Sequence, residues 1–127
     1  MDEEPKAIGG VLWQDLTVAN ADELRTFYGA VIGWQPRDVE MGGYADYEMI
    51  SPTTGDTVAG ICHARGVNAD IPPQWLIYFS VASLKESVAQ CVALGDAVIA
   101  GPRNLGDERF CVIQDPSGAV CALLGPD

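Results

Sequence analysis

Mostly apolar positions run along VLWQDLTV at 11 to 18 and again along WLIYFSV at 75 to 81, two stretches of β-strand character. Each stretch leads into a segment whose apolar residues recur at helical spacing. They are Leu24, Phe27, Tyr28, Val31 and Ile32 in the first, and Leu84, Val88, Cys91, Val92 and Leu94 in the second. The junctions are alike: LTVANADE at 16 to 23 returns as FSVASLKE at 79 to 86, half a chain later. Each junction carries a capping-box pattern, Asn20 with Glu23 and Ser83 with Glu86. Gly33 and Gly95 then predict the helix ends, since a left-handed closing residue is least costly as glycine.

Strand-like runs separated by turn signals follow each helix. The first half offers QPRDVEM, YADYEMI, the turn SPTTGD and TVAGICH; the second offers DAVIAG, a loop PRNLGD, RFCVIQ, the turn DPSG and AVCALL. Both halves therefore read β-α-β-β-β. The expected class is α+β, one domain over 1–127 built of two modules at about 8–66 and 72–125. Between them ARGVNADIPPQ reads as a linker, because Pro72 and Pro73 have no amide to give a strand ladder. The charged start MDEEPK is expected to fray.

Composition narrows the function classes. The chain has 127 residues, 48% hydrophobic, enough for one buried core, and no long apolar run or basic leader, so a soluble cytoplasmic protein is expected. A formal charge of −11 with seven Lys and Arg argues against nucleic acid and anionic membrane surfaces as partners, which are held by displacing counterions with cations. The four cysteines, Cys62, Cys91, Cys111 and Cys121, form no C-x-x-C pair and are expected to be reduced thiols. No G-x-S-x-G, P-loop, G-x-G-x-x-G, H-E-x-x-H or EF-hand pattern is present.

The doubled β-α-β-β-β pattern, DLTV with FYGAVIGW at 27 to 34, and QDPSGAVCALL at 114 to 124 resemble the vicinal oxygen chelate superfamily of glyoxalases, bleomycin-resistance proteins and extradiol dioxygenases. The resemblance runs from about Gly10 to Leu124 and is specific for fold rather than reaction. It implies a curled mixed sheet around a cup, with helices on the convex side. Alternation then places Leu16 and Val18 under the first helix, and Trp13, Asp15 and Thr17 in the cup. In the second module Phe79 and Val81 are expected in the core, with Leu76, Tyr78 and Ser80 facing inward. Metal-using members carry four ligands, and the matching positions here are Trp13, about Gly60, Leu76 and Ala122. None offers imidazole, carboxylate or thiolate, so no metal or other cofactor is expected.

The candidate site follows from these faces. Trp13, Asp15, Thr17, Cys62, Arg65 and Tyr78 are the expected ligand-binding residues, with Trp75 and Tyr44 as further flat walls and Trp34 and Phe27 assigned to core. Asp46 and Glu48 alternate with Tyr47 and Met49, leaving open which pair faces the cup. Asp15 reads equally as a functional carboxylate or as a structural acceptor, for Tyr78 or a strand-end amide. Arg65 reads as an anion-pairing fork or a surface ion pair. His63, the only histidine, has three readings: a structural hydrogen bond at a strand end, a ligand contact, or a metal site with Cys62. The last is disfavoured because adjacent strand residues point to opposite faces.

The leading expectation is a metal-independent, homodimeric protein binding a small organic molecule, neutral or cationic. The rival is a lyase, isomerase or epimerase acting on a small carbonyl compound, with Asp15 as general base and Tyr78 or His63 as acid.

Overall fold

The structure, a computed structural model, describes residues 7–127. The first module consists of β1 (Val11–Val18), α1 (Ala21–Ile32), β2 (Gln35–Glu40), β3 (Ala45–Ile50) and β4 (Thr57–His63). The second consists of β5 (Trp75–Ser80), α2 (Leu84–Ala93), β6 (Ala97–Leu105), β7 (Glu108–Gln114) and β8 (Val120–Gly125). The chain is thus α+β, with β-α-β-β-β twice over. A 3-10 turn at Gly66–Asn68 lies in the expected linker. The start MDEEPK lies outside the described residues.

Two compact units divide the chain, one of residues 13–75 and the other of residues 76–127 with the stretch up to Leu12. In the first, the strands run in the order β2-β3-β4-β1; β1 and β4 are parallel and the other neighbours antiparallel. In the second, β5-β8-β7-β6 repeats this arrangement, with β5 and β8 parallel. Residues before β1 join this second unit, where Gly9 N donates to Ser80 O at 2.7 Å and Ser80 N to Gly10 O at 2.8 Å.

Strand parity sorts the side chains. Leu16, Val18, Tyr47, Met49, Ala59 and Ile61 form the core beneath α1 with Ala21, and Leu24, Tyr28 and Trp34 pack against it. Asp15, Thr17, Gly60, Cys62 and Glu48 alternate with those residues and take the opposite face of the sheet. In the second unit Leu84, Cys111 and Leu123 form the corresponding core, covered by Phe79, Val81 and Val88.

Three local expectations are corrected. Asn20 occupies the N-cap position but its side chain makes no cap bond. Its backbone (φ −107°, ψ 48°) is not extended, and its amide donates instead to Glu23 Oε1 at 3.2 Å. Ser83, with extended backbone, accepts from Glu86 N at 3.2 Å as expected.

Phe27 is 52% exposed rather than core. Leu24 and Tyr28, one helical turn apart, take the sheet-facing positions and leave Phe27 on the flank.

The segment PRNLGD is not a loop through its length. β6 continues to Leu105, with Arg103, Asn104 and Leu105 paired to Phe110, Arg109 and Glu108. Pro102 is tolerated because β6 is the unit's edge strand and the register shifts between Ala100 and Arg103.

Candidate functional site

On the face of the first unit away from α1, Asp15 is in register with Gly60 on β4, and Gly60 with Glu48 on β3. Glu48 is in turn opposite Arg37 on β2. Arg37 holds Glu48 through Nη2 at 3.1 Å and Nε at 3.3 Å, and Thr57 Oγ1 at 3.2 Å, so its fork is occupied at the rim. The question left by the sequence is settled by the core: Tyr47 and Met49 face α1, and Glu48 faces the other way.

Gly60 is the crowded point of this row. A Cβ placed on it would stand 3.2 Å from Asp15 Cβ, 3.5 Å from Trp13 Cζ2 and 3.8 Å from Trp13 Nε1. The indole of Trp13 therefore lies against the backbone of β4, in the space a side chain at position 60 would need. Both Trp13 and Asp15 are half-buried, whereas Thr17, next along β1 and opposite Cys62, is 4% exposed. The Cys62 thiol is pushed far above the ordinary thiol range, first by burial and then by the charges of Asp15 and Asp46, with a hydrogen bond to Asp46. Trp13, Asp15, Thr17 and Cys62 are thus brought together on one face.

His63 belongs to a different constellation. It pairs with Val18, on the phase of β4 that faces α1. Its amide donates to Asp46 Oδ1 at 2.8 Å, its Nδ1 lies 3.1 Å from the same oxygen, and its Nε2 lies 3.4 Å from Asp22 Oδ1. Asp22 also accepts from the Tyr47 hydroxyl, which holds the carboxyl below the usual range; the same bond pushes the Tyr47 phenol up. Tyr44 meets the His63 ring edge-on at 5.3 Å, and Arg65 stacks over Tyr44 at 3.8 Å. Sequence reasoning singled out His63 and Arg65 but not Asp22 or Tyr47. No local pattern links positions 22, 47 and 63, and only the ladder brings them together.

Tyr78 lies in the second unit, 4% exposed, opposite Ala122 and beside the Phe110 ring at 6.0 Å. Leu76 and Ala122 are fully buried.

A family model described as the glyoxalase/bleomycin resistance protein/dioxygenase superfamily matches residues 10–123. The chain belongs to this superfamily. Among curated members, CFP32 of Mycobacterium bovis, which bears a glyoxylase name, is 30% identical over 119 residues, 93% of this chain and 44% of that protein. The anthracycline biosynthesis protein DnrV of Streptomyces peucetius is 30% identical over 116 residues, 91% of this chain and 41% of DnrV. The chain thus spans less than half the length of the curated relatives it matches. In fold it is similar to a methylmalonyl-CoA epimerase of Streptomyces coelicolor solved with 2-nitronate-propionyl-CoA, at 15% identity and a TM-score of 0.58, covering 94% of this chain and 99% of that one. A Mycobacterium tuberculosis methylmalonyl-CoA epimerase gives 15% identity and 0.54, covering 98% and 93%.

Within the glyoxalase superfamily the metal-using centre calls for donors that this chain lacks at the matching positions. Trp13 and Leu76 have none, Ala122 is a methyl group, and the space at Gly60 is taken by the Trp13 ring. Among the described residues no group of three or more His, Cys, Asp and Glu stands together as a metal cage. The side chains at the positions that the resemblance matches to the family's ligands offer no metal donor. No helix of the described residues is long and apolar enough to cross a membrane.

Proposed function

We propose that the chain is a metal-independent small-molecule binding protein of the glyoxalase/bleomycin-resistance type. The observation that carries this reading is the Trp13–Gly60 contact. In place of a chelating pair, the first unit presents an aromatic ring, a carboxylate at Asp15 and a buried hydroxyl at Thr17, groups that hold an organic ligand by stacking and hydrogen bonds. Cys62 opposite Thr17, Arg65 beside Tyr44 and Tyr78 in the second unit are the remaining ligand-binding candidates. The partner is a small organic molecule rather than nucleic acid or membrane, and the working form is a cytoplasmic homodimer. The apolar residues Phe27, Val31 and Ile32 exposed on α1 support self-association, to be read by sedimentation.

The experiment is metal analysis of the purified protein, followed by calorimetric titration with zinc, nickel and manganese and an assay against the methylglyoxal–glutathione adduct. Absence of stoichiometric metal and of turnover is the expected result. Turnover of the adduct lost in Asp15→Asn would instead establish the rival reading, a lyase, isomerase or epimerase with Asp15 as general base and Tyr78 or His63 as acid.

A further inference from the structure

We propose that Arg65, laid over the Tyr44 ring, is a preformed receptor for the oxyanion of a small organic ligand, a carboxylate or a phosphate ester. This rests on the small-molecule reading above and gives one end of the ligand its chemistry.

The backbone fixes where the two side chains stand. Arg65 lies just past β4, where its amide donates to His63 O and its carbonyl accepts from Asn68 N, both at 3.0 Å. Tyr44 closes the turn before β3: Met41 N donates to Tyr44 O at 2.9 Å, and Glu40 Oε1 accepts from the amides of Gly42 and Gly43. The guanidinium carbon of Arg65 lies 3.8 Å from the centre of the Tyr44 ring, and His63 meets that ring edge-on at 5.3 Å. His63 is itself tied to Asp46, so the tyrosine packs on a fixed neighbour.

Partners decide what the fork is free to do. Arg37 pairs with Glu48 and Arg109 with Asp127, the ordinary fate of an arginine in a chain with 18 acidic residues. Arg65 differs, because among the described residues no carboxylate pairs with its guanidinium. The carboxylates around His63 are turned to other donors, Asp46 to the His63 amide and ring, Asp22 to the Tyr47 hydroxyl and His63 Nε2. Stacking uses the face of the guanidinium and leaves its N–H edge, and residue 65 is exposed. A fork already ordered on an aromatic ring loses less freedom when it takes up an anion through two oxygens at once.

Benzoate and phenyl phosphate test this, with benzamide as the neutral analogue and trimethylanilinium as the cation. Each is titrated into the full chain, followed by the NMR signals of the Arg65 Nε–H and the Tyr44 ring and by calorimetry. At least one of the oxyanions should move both signals saturably and bind at least about tenfold more tightly than benzamide, the tighter one naming the group the site takes. Trimethylanilinium should leave both signals in place. Arg65→Met should abolish the binding, and Arg65→Lys should weaken it about fivefold or more, since a point charge replaces the fork. Tyr44→Leu should weaken it about threefold or more, and Tyr44→Phe, which keeps the face, should restore it. Arg25, which lies over Tyr47 at 4.8 Å, is the control, and Arg25→Met should bind as the unaltered chain does. The proposal is overturned if neither oxyanion binds, if Arg65→Lys or folded Tyr44→Leu binds unchanged, or if Arg25→Met loses as much as Arg65→Met, which general attraction between charges would explain. A neutral molecule bound at Trp13 in any of those cases leaves the binding-protein reading standing. Turnover of the methylglyoxal–glutathione adduct overturns that reading instead, whatever the Arg65 probes show.

Discussion

Asp46 takes two contacts from His63 with a single carboxylate oxygen, the backbone amide at 2.8 Å and the ring Nδ1 at 3.1 Å. The amide contact substitutes a side chain for a ladder carbonyl at the end of β4, and the ring contact fixes the imidazole where Nε2 reaches Asp22 on α1. His63 therefore ties the strand end to the start of the helix. We propose that this structural hydrogen bond, rather than a ligand contact, is the main role of His63. The ring lies on the phase opposite Trp13 and Asp15.

His63→Ala should therefore cost more than an exposed strand-end substitution, about 1–2 kcal/mol in urea unfolding, since it takes the ring from the half-buried Asp46 carboxylate. Binding at Trp13 should change by less than about threefold in the same variant, a difference within the spread of surface substitutions. Loss of binding with stability intact would move His63 into the ligand site.

The bond from Tyr47 to Asp22 predicts an acid limb. Asp22 is held below its ordinary 3.8 chiefly by the Tyr47 hydroxyl. The native state thus binds this proton less readily than the unfolded chain. The resulting stability is complete above the unfolded carboxylate value and is lost as pH falls through the lower folded value. Tyr47→Phe should raise the Asp22 titration midpoint towards 3.8, followed by NMR, and flatten the acid limb below about pH 4. Because Asp22 is exposed, the effect should shrink in high salt.

The D-P-x-G turn that carries much of the family likeness is structural chemistry. Asp115 Oδ1 accepts from Ser117 N at 2.8 Å, Ser117 Oγ at 2.6 Å and Ala119 N at 3.0 Å, and Gly118 follows at φ 89°. Gly118→Ala should cost about 1 kcal/mol for the left-handed backbone. Asp115→Ala should lower the thermal midpoint and leave ligand binding unchanged. A binding defect in either folded variant would give the turn a role in the site.

Much of this fold was legible because it is written in short-range patterns. Apolar stretches bounded by turn signals placed the eight strands, though not the second part of β6, and the parity of Leu16 and Val18 against Asp15 and Thr17 was correct because one face of β1 must be buried. What failed was what depends on more than one element. Phe27 reads as core by spacing, yet α1 has room beneath it for only one line of side chains, which Leu24 and Tyr28 fill. Asp22, Asp46 and Tyr47 are unremarkable in sequence until the ladder sets them around His63. Gly60 looked like an empty ligand position; its meaning appears only with Trp13 beside it.

The thiols predict an alkaline limb. Burial, followed by neighbouring charges, pushes Cys111 up to about 11 from an ordinary 9.0, raises Cys121, and raises Cys62 further still. Above pH 9 the unfolded chain gives up these protons while the folded one keeps them, so the native state binds more protons and stability falls with rising pH. The limb should begin near the unfolded thiol value, and for Cys111 it should run until about 11. Each fully retained proton contributes on the order of 1 kcal/mol per pH unit, less where burial is partial. Urea unfolding at pH 8, 9 and 10 reads the slope directly. Cys62→Ala should flatten it whatever its effect on stability at pH 8, because the comparison is of slopes and not of absolute values. In the native protein Cys62 should also resist iodoacetamide at pH 8, where almost none of it is thiolate. Rapid alkylation of Cys62 in the folded chain would show that burial, with the charges of Asp15 and Asp46 beside it, does not hold the thiol proton.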